Sequence, residues 1–487
     1  ETLGADRRDR LFEALGKLDH PDAINPIAQI TSRYGTYLAW VEAQIDRYNE
    51  KLRKWNDRQG LSMDEIGLRA SAGRKLGQVE EIHKHAENSF QLLIGIVGGY
   101  ENPRTIEKAL VVFFKSPTWR VRYLLAGACA RWHEGLKDVK ASKRAFATLK
   151  KLQKDATPRV RVAVARSLGA FKRAEALELL AGYIKDPDWR VRAAAVESLQ
   201  KTGSAEAVGT LIAALKGEKG RLRDDINTAL KEMTGQSHGF ADVWARWWAS
   251  VGGKIPAKKE GDAGDETWRN KARGANFYGI RIQSDRIIYI MDVSGSMAQP
   301  IDPLKRKTVV TGRPLKDGGP APGKTRFEVA QNEMKRAVSK LHRKAYFTII
   351  FFSHAVITWQ REMVQATPAN KKKAYEAINK ARPIGATYTL GALREAFTLA
   401  GVIGRSKTAR DGPKVDTIFL LSDGAPTDGS FDSAKLMDPE IILEAVRQWN
   451  KDINLKIHTV AVDITDNYFL RTLATEHGGQ WVERKTG

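Results

Sequence analysis

Three short stretches carry side chains that could act together on a metal ion. Arg286-Ile-Ile-Tyr-Ile-Met-Asp292-Val-Ser294-Gly-Ser296 is an apolar run that ends in a carboxylate and two hydroxyls at alternate positions. Asp416-Thr-Ile-Phe-Leu-Leu-Ser-Asp423-Gly424 is a second apolar run closed by an acid. Between them, Pro383-Ile-Gly385-Ala-Thr387-Tyr-Thr389-Leu-Gly391 offers a glycine-bounded turn with hydroxyls ahead of a helix. Donors that are all oxygen favour a hard cation, and carboxylates with hydroxyls suit Mg²⁺ better than zinc. Asp-x-Ser-x-Ser alone is a weak signal, because polar residues after a strand commonly form only a turn. The weight lies in three such loops.

Runs of four to six β-formers are what central, fully buried parallel strands look like. In an open α/β sheet the ligand edge lies at the carboxyl ends of the strands, where these oxygens would emerge. The alternation continues through helix 326–342, strand 345–352, helices 368–381 and 390–402, strand 416–422, helix 438–452, strand 455–462 and helix 466–477. Gly478-Gly479-Gln-Trp-Val then reads as a final edge strand, and Asn276-Phe277-Tyr278-Gly279-Ile280 as an edge segment leading in. An insert at 299–325 is rich in Pro, Gly and basic residues, among them Lys305, Arg306 and Lys307. It lacks apolar periodicity and reads as a long loop beside the metal edge, either drawing an acidic ligand there or merely disordered.

With these motifs the chain resembles the von Willebrand factor A domain and its metal-ion-dependent adhesion site, over roughly residues 275–485. The resemblance implies that Ser294, Ser296 and Thr387 bind Mg²⁺ (or Mn²⁺) directly, and that Asp292 and Asp423 act mostly through water. Thr389 is the alternative third ligand if the turn is misaligned. It also implies an open coordination position filled by a Glu or Asp carboxylate of a partner protein.

The preceding chain is helical. Leu38, Val41, Ile45, Tyr48, Leu52 and Trp55 fall at three- and four-residue steps, one apolar stripe that could pair with a second helix at 76–98. From about 103 to 250 the sequence repeats: Trp119-Arg-Val-Arg122 returns as Arg159-Val-Arg161, Trp189-Arg-Val-Arg192 and Arg221-Leu-Arg223. The steps of 39, 31 and 31 residues indicate an α-solenoid, and the motif resembles HEAT repeats of the short bacterial type. Arg122, Arg161 and Arg192 either bridge neighbouring repeats in a ladder or form a basic stripe for phosphates or an acidic partner. Phe240-Ala-Asp-Val-Trp244-Ala-Arg-Trp247-Trp248 reads as a hydrophobic cap on the array, with an aromatic dock for a sugar or base as the sharper alternative. The expected architecture is multidomain: a helical region at 1–102, an all-α HEAT-like solenoid at 103–250, a Gly-rich linker at 251–274, and a doubly wound, Rossmann-like α/β domain at 275–487.

The 487 residues carry 42% apolar and 28% charged side chains, which argues against wholesale disorder. A net charge of +23 predicts attraction to acidic partners or nucleic acid. The single cysteine, Cys129, excludes an internal disulfide and sits among small apolar residues. None of the nine histidines has metal-ligand spacing. His354, at a strand end, reads as a structural hydrogen-bonder, and neither a P-loop nor Gly-x-Ser-x-Gly is present. The expectation is therefore a non-enzymatic, cation-dependent protein-binding protein. The alternative is RNA binding, since helical repeats before an A domain are similar to the Ro ribonucleoprotein (TROVE) family. The domain pairing also resembles exported bacterial surface proteins, so export with loss of a signal peptide is expected, and the cytoplasm is the alternative.

Overall fold

The structure is a computed structural model. It describes all residues except 1–12, 16, 57–62, 136–138, 219, 257–275, 301–306, 311–312, 315–323, 402–414, 431–433, 452, 463–467 and 486–487. Two compact units make up the chain, Glu1–Gln44 with Gly77–Lys271 and Ile45–Leu76 with Ala272–Gly487.

Two long helices come first, α1 (Ile24–Asn56) and α2 (Met63–Gly98). Leu38, Val41 and Ile45 of the apolar stripe are buried, as are Leu76, Ala86, Phe90 and Leu93 of the second helix. The side chains of Leu52 and Trp55 lie outside the described ones. Four helical pairs follow: α3 (Pro103–Phe114) with α4 (Trp119–Gly135), α5 (Val139–Leu152) with α6 (Pro158–Leu168), α7 (Ala174–Tyr183) with α8 (Trp189–Thr202), and α9 (Ala205–Leu215) with α10 (Gly220–Thr234). Proline at the first helical position starts α3 and α6, where its missing N–H is no loss. The second helix of each pair packs on the second helix of the next. Buried small residues (Ala126, Ala128, Ala163, Ala165, Ala193, Ala194, Ala195) let these helices approach closely. The last helix, α11 (Ala241–Ser250), caps the array: Trp244 is fully buried and its Nε1 donates to Asn227 Oδ1 at 2.9 Å.

The repeated Arg-x-Arg step opens each second helix and works as two ladders. Arg122 forks onto Asp155 of the next pair, Nε to Oδ2 at 2.6 Å and Nη2 to Oδ1 at 3.1 Å. Arg161 repeats this on Asp186, at 2.8 and 2.9 Å. Arg192 donates to the carbonyls of Asp186 and Pro187, and its Nε lies 3.8 Å from Glu218. In the other ladder, Arg159 stacks on Trp119 of the preceding pair at 5.3 Å and Arg221 on Trp189 at 4.9 Å. Pro158 stands where the first and third pairs have Trp119 and Trp189, and there the following arginine, Arg190, turns instead to Asp188.

The second unit is built on a nine-stranded sheet. A hairpin of β1 (Asn276–Phe277) and β2 (Ile280–Arg281) precedes it as a separate two-stranded sheet. The segment is therefore not an edge of the main sheet. Its Phe277 ring is buried against Tyr289 and Phe419. The main strands are β3 (Arg286–Asp292), β4 (Lys307–Val310), β5 (Arg313–Pro314), β6 (Tyr346–Phe352), β7 (Val356–Thr358), β8 (Val364–Gln365), β9 (Thr417–Ser422), β10 (Lys456–Val462) and β11 (Trp481–Lys485). Their order is β5-β4-β11-β10-β9-β3-β6-β7, with β8 also on β6. The run from β6 to β11 is parallel, and the added strands at either end are antiparallel. Helices α12 (Arg326–Lys340), α13 (Pro368–Lys380), α14 (Thr389–Leu399), α15 (Pro439–Asn450) and α16 (Tyr468–Glu476) alternate with the strands.

Two further expectations need correction. The insert at 299–325 is not loop throughout, because β4 and β5 form a hairpin that pairs with β11. The β-branched Thr308-Val309-Val310 are the local cause. The last strand is accordingly not an edge.

Removing one rung of the arginine ladder strands a nearly buried carboxylate. Arg161→Ala is expected to cost the protein about 3 kcal/mol, whereas Lys201→Ala, which breaks the exposed pair with Glu197, stays within about 0.5 kcal/mol. Urea denaturation followed by circular dichroism compares the two.

Candidate metal centre

The chain leaves β3 toward β6 on one side, then returns to β9 on the other side of β3. The sheet's topological switch point therefore lies between the carboxyl ends of β3 and β9, the place where open α/β sheets bind ligands. Asp292 is the last residue of β3, and Asp423 directly follows β9. Both are buried, Asp292 at 0% exposure and Asp423 at 5%.

Backbone bonds zip the three loops together. Ile384 N–H donates to Val293 O at 2.8 Å, Gly295 N–H to Gly385 O at 2.9 Å and Thr427 N–H to Thr387 O at 2.9 Å. Gly385 has φ +78°, and a Cβ there would come within 2.2 Å of His354 Nδ1, so only glycine fits beneath that imidazole. His354 thus serves to pack the loop, with Nδ1 3.2 Å from Ser353 Oγ.

Each carboxylate oxygen meets a donor. Asp292 accepts from Ser294 N–H at 2.8 Å and from Ser422 Oγ at 2.6 Å. Asp423 accepts from Ser296 Oγ at 2.7 Å and from Arg326 Nη1 at 3.0 Å. Ser296 gives its one hydroxyl proton to Asp423, and Ser294 Oγ lies 3.0 Å from Ser296 Oγ. A Cβ on Gly424 would stand 3.4 Å from Thr387 Oγ1 and 3.7 Å from Ser296 Oγ, which brings those hydroxyls from separate loops to one small space. Thr387 Oγ1 thus lies beside the serine hydroxyls. Thr389 Oγ1 is buried without a hydrogen-bond partner.

Burial, reinforced by the charge of Asp423, pushes the Asp292 carboxyl up to about 7. Burial also raises Asp423, opposed by its bonds to Ser296 and Arg326. Two buried carboxylates against one guanidinium are short of positive charge, and the surrounding donors are all oxygen. That combination fits a hard divalent cation, which Ser294, Ser296, Thr387, Asp292 and Asp423 would hold.

Lys305 and Arg306 lie outside the described residues, and Lys307 is described only through its backbone at the start of β4. Arg122, Arg161 and Arg192 are engaged within the helical array. Sequence reasoning missed Ser422, Thr427 and Arg326. The insert separates Arg326 from the first metal loop, although Thr325-Arg-Phe-Glu328 carries a helix-start signature. A further group, Glu42, His83 and Glu87, also gathers within ligand distance. Arg120 already fills it, 2.9 Å from Glu42 and 4.0 Å from Glu87.

Comparison with known proteins agrees with this domain organisation. A family model described as HEAT repeats matches residues 146–231, and one for the von Willebrand factor type A domain matches residues 320–482. Inter-alpha-trypsin inhibitor heavy chain H2 of Sus scrofa is 26% identical over 194 residues, 40% of this chain and 17% of that protein. Inter alpha-trypsin inhibitor, heavy chain 4 of Mus musculus is 30% identical over 200 residues, with the same two shares. Human von Willebrand factor A domain-containing protein 3A is 25% identical over 138 residues, 28% of this chain and 10% of that one. The chain thus spans only 17% of the length of these two heavy chains. A solved von Willebrand factor type A structure from Catenulispora acidiphila covers 40% of this chain, and 37% of its own, at 18% identity and a TM-score of 0.28, too slight a likeness to carry an argument. Domains of this class commonly hold a divalent metal and serve protein interaction. The chain carries HEAT repeats followed by a von Willebrand factor type A domain.

Proposed function

We propose that the C-terminal domain is a non-enzymatic, cation-dependent protein-binding module. Mg²⁺ (or Mn²⁺) seated among Ser294, Ser296 and Thr387, with Asp292 and Asp423 behind, would receive a Glu or Asp carboxylate from a partner protein. Charge carries this reading. Adding a divalent ion to two carboxylates and one guanidinium leaves one positive charge in excess, so the completed site favours an anion. The bound ion would supply Lewis acidity toward that carboxylate. Because both Asp292 oxygens and both Asp423 oxygens already accept hydrogen bonds, the protein gives the ion mainly neutral hydroxyls and leaves it electrophilic. The helical array would act as an assembly scaffold. Its repeated arginines are occupied by Asp155, Asp186 and backbone carbonyls, which favours a protein partner over RNA phosphates.

The immobilised chain is expected to retain a protein with Mg²⁺, to release it with EDTA, and to be indifferent to RNase. Asp423→Ala should lose this retention while keeping its circular dichroism spectrum. Equal capture by the variant with and without EDTA would refute the mechanism.

Ion binding should also register as stability. At one hundred times Kd, Mg²⁺ adds about 2.7 kcal/mol, a rise of several degrees in Tm by differential scanning calorimetry; Asp292→Asn should show none. The raised carboxyl of Asp292 fixes the pH dependence. Without metal, the folded chain holds a proton there that the unfolded chain releases. Its contribution to stability is full below about pH 4 and is lost as pH rises through about 7. The Mg²⁺ shift should therefore be larger at pH 8 than at pH 5.5. In EDTA at pH 8, Asp292→Asn should melt above wild type, since no charge is then buried at that position.

A further inference from the structure

Arg326 is the first residue of α12, a position where the helix dipole disfavours a cation. Its placement therefore calls for a local cause. The side chain is 14% exposed and its Nη1 lies 3.0 Å from Asp423 Oδ2, while the Asp423 side chain is wholly buried. The backbone fixes that reach. Arg326 N–H donates to Gln299 O at 3.0 Å, and Pro300 pairs with Thr325, so the first turn of α12 is tied to the metal loop three residues beyond Ser296. Thr325 caps the helix by accepting from Glu328 N–H at 3.1 Å, and Glu328 Oε2 accepts in turn from Lys324 N–H at 2.6 Å. The guanidinium is thus delivered to Asp423 by a braced backbone.

Resting on the metal reading above, we propose that Arg326 is a positioning residue that acts as the site's resident monovalent cation. It neutralises Asp423 when no divalent ion is present. It also engages Oδ2, so that Asp423 faces the hydroxyl cluster with the oxygen already bonded to Ser296. Both effects oppose tight ion binding, since a like charge sits beside the ion and one carboxylate oxygen is withheld from it. The same charge keeps the bound ion short of electrons, and so ready for an external carboxylate.

The test is calorimetric titration of the full-length chain with Mg²⁺ alone, with melting in EDTA measured alongside. Arg326→Met should lower the melting temperature in EDTA yet bind Mg²⁺ at least about tenfold tighter. Arg326→Lys, which keeps the charge, should stay within about threefold of wild type. An arginine that merely anchors α12 would lower the melting temperature and leave the affinity unchanged or weaker. Wild type binding Mg²⁺ with Arg326→Met no tighter would overturn this inference alone. Wild type giving no heat with Mg²⁺ would overturn the metal reading, and this inference with it.

Discussion

Two carboxylates have to be kept out of water at the switch point of a parallel sheet, and much of the second unit is arranged around that demand. Ionised acids repel each other more strongly as the surrounding dielectric falls. Asp292 can stay at the end of β3 only because Ser294 N–H and Ser422 Oγ meet its oxygens. Those donors hold position because the loops bearing them are bonded to one another through main-chain groups of Val293, Gly295, Ile384, Gly385, Thr387 and Thr427. Beneath the loops, β3, β6, β9 and β10 are buried almost end to end, which gives a rigid base and removes solvent from the acids.

The two units treat buried charge in opposite ways. In the helical array, Asp155 and Asp186 each receive an arginine fork from the preceding repeat as well as a backbone N–H of their own turn. Those pairs are complete, and they tie one repeat to the next. At the sheet edge, two buried carboxylates share a single guanidinium, that of Arg326, and the pairing is incomplete. Charge that is locally satisfied marks scaffolding, and charge left in deficit marks a place prepared for something else.

Much of this was legible in the sequence because it rests on local pattern. Unbroken apolar runs such as Ile287–Met291 state their burial directly, and a polar residue ending such a run marks the sheet's working edge. The repeated Arg-x-Arg step revealed the solenoid through its period. What stayed hidden depended on long-range placement. Arg326 lies 97 residues from Asp423, and only the folded α12 N-terminus brings them together. That the Thr387 hydroxyl comes close to that of Ser296, from a loop some ninety residues on, is likewise a fact of the fold. The strands inside the insert were obscured because β4 and β5 are four and two residues long, too short for a periodic signal.

Those short strands have a consequence for association between copies of the chain. Without them β11 would end the sheet on that side and present a row of unpaired amides and carbonyls, a template for another molecule's strand. β4 takes up that row along four residues, and β5 then ends the sheet after two, the second of them Pro314. Proline has no amide hydrogen to offer an incoming strand. The insert thereby also terminates the sheet, and guards the domain against pairing edge to edge with a second copy of itself.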